Sequence, residues 1–320
     1  MRLSIVVPCF NEQESIPYFL KETQQQVAKL PVSIEYIFVN DGSTDETLAV
    51  LKRFQQQQPQ VIHYLDFSRN FGKEAAIYAG LKAAKGDLIT IMDADLQDPP
   101  ELLPKMFELI TEQGYDCVAT RRENRQGEPL LRSFFARKFY KLMNKISETP
   151  MVDGARDFRL MTRQMVDAVL EMSEYNRFSK GLFSWVGFRT TYLSFKNKER
   201  VAGKTSWSFW GLVRYSAEGI VNFSNLPLQL AAWGGILACL VAILMILVIV
   251  VRTLVFGDPT SGWPSLVSII LFMGGLQLFF IGILGQYIGK IYLEVKQRPI
   301  YLIRESDLPD FADKKERNQS

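Results

Sequence analysis

Two aspartates separated by one residue are the clearest candidates for chemistry in this chain. Asp93 and Asp95 open the acidic segment DADLQDPPE, residues 93–101, directly after an apolar run. Alternate side chains at the end of a strand point to the same side. Mg²⁺ prefers oxygen ligands and is commonly held by one or two carboxylates together with substrate phosphates. The pair therefore predicts a divalent-cation site that would neutralise charge on a departing diphosphate.

Five short apolar runs would have to position these carboxylates. They are LSIVVP (3–8), EYIFVND (35–41), VIHYLDF (61–67), DLITIMD (87–93) and YDCVATR (115–121), with helical patterns at 73–84 and 99–113. Nearly continuous, β-branched runs are typical of strands buried on both faces of a parallel sheet. Alternating strands and helices predict an α/β fold with a doubly wound, mostly parallel sheet.

Polar side chains follow four of these runs. Glu12 follows the first, Asp41 ends the second, Lys73 follows the third, and Asp93 ends the fourth. Ligands of such sheets bind beyond the carboxyl ends of the strands. We therefore expect these side chains to converge on one rim of the domain.

Several other functional classes are disfavoured by the residues present. A dinucleotide-binding fold needs glycines after the first strand, but the first glycine is Gly42. A P-loop also fails, because Lys198 occupies its upstream glycine position. His63 is the single histidine, and it lies in an apolar run, so the Ser-His-Asp and Cys-His hydrolase classes are disfavoured. The net charge of +3 is too modest to indicate a nucleic-acid partner.

Ordered motifs along the chain closely resemble glycosyltransferase family 2. They are PCFNE (8–12), NDGSTDET (40–47), SRNFGKEAAIYAG (68–80), DADLQDPPE (93–101), ATRREN (119–124), GARDFRLM (154–161), NRFSKGLFSWVGF (176–188) and RVAGKTSW (200–207). Within that family the pattern is most similar to the bactoprenol glucosyltransferases, and more broadly to enzymes of the dolichol-phosphate mannose synthase type. The resemblance implies a Rossmann-like GT-A catalytic domain over residues 1–205.

The resemblance also implies roles for individual residues. Those implied to bind the nucleotide are Pro8, Phe10, Glu12, Asp41, Lys73 and Asp93. Asp95 matches the metal-binding aspartate of a Mg²⁺ or Mn²⁺ site, with Gln97 as a further ligand. Arg122 and Arg200 would face phosphate, sugar or lipid head group. Asp157 matches a position assigned to catalysis, alongside Asp93 and Asp95, and we expect it to orient sugar or acceptor.

The implied reaction is the inverting transfer of glucose from UDP-glucose to a polyprenyl (undecaprenyl) phosphate, for modification of cell-surface glycans such as O-antigen. One alternative is the same reaction with another sugar, mannose or a modified arabinose. The other is a catalytically silent partner of a membrane transport system that binds a nucleotide sugar. A silent relative is expected to lose acidic residues at the rim, whereas Glu12, Asp41, Asp93 and Asp95 are all present.

Two long stretches without Asp, Glu, Lys or Arg, residues 228–251 and 265–288, predict a hairpin of two membrane spans. The basic residues that flank the hairpin are Lys196, Lys198, Arg200, Lys204, Arg214, Lys290, Lys296, Arg298 and Arg304, whereas the connecting loop has Arg252 and Asp258. This asymmetry predicts a multi-pass protein of the bacterial inner membrane with both termini in the cytosol.

Other segments carry weaker expectations. Residues 126–148 form a basic amphipathic pattern that suits either a helix on the sheet or an interfacial helix, and 206–227 suit a juxtamembrane interfacial helix. Gln277 and Gln286 could hydrogen-bond another helix, which suggests a homo-oligomer through the spans. The segment 289–320 is expected to be a cytosolic tail, disordered from residue 307 onward.

Overall fold

The computed structural model describes residues 1–122, 152, 154–172, 174–195, 226–256 and 262–312. The predicted helix at 126–148, Arg200 and nearly all of the predicted juxtamembrane helix at 206–227 lie outside these residues.

Eight strands form one sheet in the described part of the chain. They are β1 Arg2–Cys9, β2 Ser33–Asn40, β3 Ile62–Phe67, β4 Leu88–Ile91, β5 Cys117–Arg122, β6 Ala155–Thr162, β7 Thr190–Phe195 and β8 Ile303–Ser306. Their order is β7-β5-β6-β4-β1-β2-β3-β8. Strands β1 to β4 are mutually parallel where they pair, whereas β6 and β8 run antiparallel to their neighbours.

Helices cover both faces of this sheet. They are α1 Ser15–Val27, α2 Thr47–Gln57, α3 Lys73–Ala83, a 3₁₀ turn Pro100–Leu102 that leads into α4 Leu103–Gln113, α5 Arg163–Glu171 and α6 Ser179–Trp185. Consecutive residues Ile5, Val6 and Val7 of β1 are all fully buried, as a strand between two helical layers requires. The predicted α/β fold with a mostly parallel sheet is confirmed.

All five predicted strands are present, and β6, β7 and β8 were not predicted as strands. The antiparallel β6 lies between β4 and β5, so the fourth and fifth predicted strands are not neighbours. The pattern in residues 155–162 mixes charged and apolar side chains, which hides a buried strand from periodicity alone.

Two long apolar helices follow the sheet: α7 Leu226–Phe256 and α8 Trp263–Val295. They contact each other where Gly234 faces Phe280, since a Cβ on that glycine would lie 2.8 Å from the ring. Among the described residues, one segment, Phe272–Val295, is long and apolar enough to cross a membrane. It overlaps the second predicted span; over the first, the apolar stretch that is found is the shorter Ala231–Met245. The two-span hairpin therefore remains a prediction.

The segment after α8 returns to the catalytic domain, so the prediction of disorder from residue 307 is wrong for residues 307–312. Strand β8 adds antiparallel to the edge of β3, and a short helix, α9 Pro309–Ala312, follows it. Asp307 accepts hydrogen bonds from the backbone N–H of Tyr64 at 2.6 Å and lies 2.7 Å from His63 Nδ1. The segment is polar in composition, but its charged side chains form hydrogen bonds and ion pairs with residues of β3, and these contacts keep it ordered.

Replacing Asp307 with alanine is expected to destabilise the catalytic domain by about 1–3 kcal/mol, because it leaves the part-buried N–H of Tyr64 without its acceptor. Thermal unfolding of the detergent-solubilised protein would measure the loss. Asp310→Ala is the matched control in the same segment, since Asp310 is exposed and its carboxylate forms a surface ion pair with Lys85. Equal unfolding midpoints for the two variants would contradict the role given to Asp307.

Candidate active site

Strand β6 brings a second carboxylate opposite the acidic segment. The antiparallel register pairs Leu88 with Thr162 and Ile91 with Arg159. Continued by two residues, this register sets Asp157 across from Asp93. Like charges directly opposite on neighbouring strands repel each other, so this arrangement requires a cation between them.

Lys73, the first residue of α3, supplies that cation. Its Nζ lies 2.6 Å from Asp93 Oδ1 and 2.6 Å from Asp157 Oδ2. Burial alone would lower the pKa of Lys73, but the carboxylates of Asp157 and Asp93 outweigh it and raise that pKa. Burial likewise favours a higher pKa at Asp157, yet the ammonium groups of Lys73 and Lys180 hold it well below its usual range. Lys73, Asp93 and Asp157 thus form a charged triad, in which Lys73 and Asp157 stay ionised at neutral pH.

Asp41 holds the loop from which Lys73 emerges. Its Oδ1 accepts the N–H of Phe71 at 2.6 Å, and its Oδ2 accepts the N–H of Gly72 at 2.9 Å. Burial raises the pKa of the Asp41 carboxyl, and these two hydrogen bonds oppose the rise. Gly42 permits the close packing, because a Cβ there would lie 2.4 Å from the carbonyl carbon of Arg69. Asp41 therefore positions Lys73, whereas the predicted contact of Asp41 with a nucleotide remains a prediction.

The loop after β1 is fastened to the loop after β2. The backbone N–H of Asn11 donates to Ser43 Oγ at 2.9 Å, and Asn11 Oδ1 accepts the N–H of Thr44 at 2.9 Å. The N–H of Glu12 donates to Thr47 Oγ1 at 2.9 Å. Phe10 is 47% exposed on this loop, so its ring is available to a ligand. The structure thus joins the segments that carry Phe10, Glu12 and Asp41, as the topology predicted.

The donor set after β4 fits a divalent cation that is shared with a diphosphate. Asp95 is mostly buried, and its Oδ1 accepts the N–H of Gln97 at 3.1 Å. One oxygen of the buried Asp98 makes no hydrogen bond among the described residues. No group of three or more His, Cys, Asp or Glu side chains in that part of the chain could hold a metal ion. Asp95 and Gln97 nevertheless offer oxygen atoms, and a divalent cation such as Mg²⁺ can be held by one or two carboxylates together with substrate phosphates.

Two arginines flank these acidic residues. The Nη2 of Arg122, at the end of β5, donates to Gln97 Oε1 at 3.3 Å. Arg156 donates to Asp98 Oδ1 at 2.8 Å, and its Nη2 lies 3.9 Å from Asp93 Oδ2. Burial raises the pKa of Asp98, and Arg156 opposes that rise. Positive charge therefore lies beside the predicted metal ligands, where a diphosphate would bring negative charge.

Asp98, Arg156 and Lys180 were not singled out from the sequence. Asp98 and Arg156 lie inside quoted motifs, but their ion pair joins the loop after β4 to strand β6. Lys180, in α6, acts electrostatically on Asp157 and lines a small cleft with Arg159, Ser184 and Tyr192. The guanidinium of Arg159 lies over the ring of Phe183 at 3.9 Å. Only the sheet order and the packing of α6 could have identified these three.

The predicted site residues divide into three groups. Lys73, Asp93 and Asp157 are in direct contact, and Gln97 links the segment of Asp95 to Arg122. Phe10, Glu12 and Asp41 lie on the two fastened loops, and Pro8 lies in β1 just before the first of these loops. Arg200 lies outside the described residues. The catalytic, nucleotide and metal roles of all of them remain predictions.

Comparison with known proteins places this site in context. The sequence profile of the family described as glycosyl transferase family 2 matches residues 4–170. The SfII prophage-derived bactoprenol glucosyl transferase of Shigella flexneri is 42% identical over 306 residues, which cover 96% of this chain and 98% of that protein. A prophage bactoprenol glucosyl transferase homolog of Escherichia coli K12 is 41% identical over 304 residues, covering 95% and 99%.

Among solved structures, a mannosyltransferase of Pyrobaculum calidifontis in complex with GDP-Man and Mn²⁺ is similar with a TM-score of 0.48 and 18% identity. The alignment covers 93% of this chain and 76% of that one. At that distance the similarity does not indicate which donor or metal this chain uses.

Proposed function

The chain belongs to glycosyltransferase family 2, and from this premise we propose that it transfers glucose from UDP-glucose to a polyprenyl phosphate. One observation carries the proposal: 42% identity to a bactoprenol glucosyl transferase over 96% of this chain. That match extends far beyond the family profile, so it includes the apolar helices as well as the catalytic domain. The chain is a glycosyltransferase, and glucose and the lipid are the proposed substrates.

The proposed reaction is a single displacement at the anomeric carbon. An oxygen of the lipid phosphate forms the new bond to C1 of glucose, while the bond from C1 to the β-phosphate of UDP breaks. The electron pair of that bond leaves with UDP, and attack from the opposite side inverts the configuration. The acceptor is already anionic at neutral pH, so no strong general base is needed.

The charged triad suits an acceptor of this kind. Asp157 is paired with Lys73 and has a lowered pKa, so it is a weak base at neutral pH and is better suited to orienting a hydroxyl group of the sugar. Lys73 keeps Asp93 and Asp157 apart and fixed, so their geometry is set before substrates bind. Arg122 and Arg156 would reduce repulsion between the two anionic substrates.

A divalent cation, Mg²⁺ or Mn²⁺, held by Asp95 with Gln97 nearby, would stabilise the negative charge of the departing diphosphate. The residues of this chain would bind that diphosphate, with Phe10, Glu12 and Asp41 on the side of the nucleoside. In this proposal the family's GT-A arrangement supplies the nucleotide pocket at the loops after β1 and β2.

We place the catalytic domain and both termini at the cytosolic face of the bacterial inner membrane. Support comes from the basic residues on both sides of the apolar helices and from the lipid named in the relatives' descriptions. A homo-oligomer through α7 and α8 is part of the same proposal.

A membrane preparation containing the full-length protein, supplied with undecaprenyl phosphate and radiolabelled UDP-glucose, tests the proposal. We expect label in the lipid extract that depends on the added lipid and disappears with EDTA. GDP-mannose and a UDP-linked arabinose, supplied in parallel, should give at least tenfold less product. A preference for either would replace glucose in the proposal, and no lipid product from any donor would overturn it.

A further inference from the structure

The last turn of the apolar helix α8 is bonded to the catalytic domain through Glu294. Its two carboxylate oxygens both lie 3.0 Å from the backbone N of Tyr175, and Oε1 lies 3.2 Å from the backbone N of Asn176. Hydrogen bonds from N–H groups to a carboxylate are stronger than those between neutral groups. One side chain thus fixes a turn that lies more than a hundred residues away in the sequence.

That turn leads directly into α6, which is linked to the charged triad through Glu74 and through the charge of Lys180. The N–H of Ser179 donates to Glu74 Oε2 at 2.9 Å, and its hydroxyl bonds the same oxygen. Glu74 follows Lys73 in the first turn of α3. The next residue of α6, Lys180, acts electrostatically on Asp157. The turn held by Glu294 is therefore connected to Lys73 through Ser179 and Glu74, and to Asp157 through the charge of Lys180.

The same end of α8 is fixed a second time by strand β8, which begins after the short segment 296–302. Arg304 donates to the fully buried Asp66 at 2.7 Å, and Lys52 pairs with Glu305 at 2.7 Å. With an attachment on each side, the end of α8 is held in one orientation against the domain. A flexible tether would show neither attachment.

We infer that Glu294 is a positioning residue that fixes the distance between the apolar helix α8 and the charged triad. The inference rests on the proposed function, in which the acceptor is a lipid that lies beside α8. A lipid phosphate can meet the sugar only if the triad lies at a set distance from the helix. Loosening the turn at residues 175–176 leaves the contacts within the triad intact. It should therefore lower the rate of transfer to the lipid and leave the binding of the donor nucleotide unchanged.

The test compares full-length Glu294→Ala and Glu294→Gln with the native protein in nanodiscs. We expect Glu294→Ala to lower kcat/KM for undecaprenyl phosphate about tenfold, mainly through KM. The Kd for UDP and the slow hydrolysis of UDP-glucose without lipid should stay within twofold of native. Glu294→Gln should be intermediate, because a neutral amide oxygen can accept from one N–H. Glu112→Ala is the matched control, since Glu112 is exposed on α4, away from the site.

Ser179→Ala removes the hydroxyl that bonds Glu74, at the other end of the same connection. It should likewise lower kcat/KM for undecaprenyl phosphate and leave the Kd for UDP unchanged. In the double variant Ser179→Ala/Glu294→Ala, the fold-loss in kcat/KM for the lipid should be smaller than the product of the two single fold-losses, as expected for coupled positions. Native lipid use in Glu294→Ala, or an equal loss of UDP affinity, would overturn the inference. If Glu294→Ala fails to fold, the outcomes for Glu294→Gln and Ser179→Ala decide in the same way. A native protein that transfers no glucose would instead overturn the proposed function.

Discussion

Alanine in place of Asp95 is expected to reduce glucose transfer at least a thousandfold. This carboxylate is the proposed metal ligand, and charge stabilisation of a leaving group is worth several kcal/mol in the transition state. The initial rate of lipid glucosylation measures the loss. Binding of UDP should become independent of Mn²⁺ in this variant, which isothermal titration with and without the cation would detect. The second readout separates a metal ligand from a residue that only supports the fold.

Asp93→Ala should be similarly inactive for a different reason. It removes one of the two carboxylates that hold Lys73 at 2.6 Å, so Lys73 is left paired with Asp157 alone. Because Asp95 remains, we expect UDP binding to keep part of its dependence on Mn²⁺. The matched control is Asp87→Ala, since Asp87 is exposed near the opposite end of the same strand. Full activity of Asp95→Ala in the presence of a chelator would contradict the metal-dependent reaction.

Replacing Asp157 with asparagine is expected to lower kcat about a hundred- to a thousandfold without changing the shape of the pH profile. The magnitude is that of removing one preorganised electrostatic group from an active site. The pH argument follows from the lowered pKa of Asp157 and the raised pKa of Lys73. A depressed carboxyl pKa contributes stability above about pH 4, and the contribution is lost as the pH falls further. A raised lysine pKa contributes below about pH 10 and is lost as the pH rises further.

The ion pair therefore stays intact between about pH 5 and 9, and titration of Asp157 should produce no inflection in kcat/KM there. Lys73→Ala should cost a similar factor, because it leaves Asp93 and Asp157 opposite each other without a cation. The double variant Lys73→Ala/Asp157→Asn should lose less than the product of the two factors. Lys82→Ala, at the other end of α3, is the control. An inflection near pH 7 that disappears in Asp157→Asn would show that Asp157 acts as a base after all.

The positions of Asp93, Asp95, Glu12 and Lys73 on one rim could be predicted because each follows an apolar run. Runs of β-branched residues indicate strands, and a glycine indicates the end of a helix, as Gly114 does after α4, where it adopts the left-handed conformation at φ 65°. Both are local signals. The carboxyl ends of parallel strands meet at the same edge whatever the order of the strands. The rim therefore followed from local patterns and one topological rule.

The partners of these residues could not be predicted in the same way. Asp157 was identified by its motif, but its contact with Lys73 depends on β6 lying between β4 and β5. The nucleotide contact of Asp41 stays a prediction, and the hydrogen bonds of both its oxygens to the loop before α3 were not predicted. The return of β8 to the sheet and the bonds of Glu294 join segments separated by long stretches of sequence.

By itself the sequence determined the first five strands, where the long apolar helices lie and which side chains can carry charge to a rim. Hydrophobic periodicity and side-chain chemistry are properties of short segments, so they can be recognised without knowledge of distant neighbours. The tertiary structure decided which charges meet: Lys73 between Asp93 and Asp157, Arg156 with Asp98, and Glu294 with the turn before α6. Strand order, register and helix docking are chosen by the packing of the whole core, and that packing sets the distances on which catalysis depends.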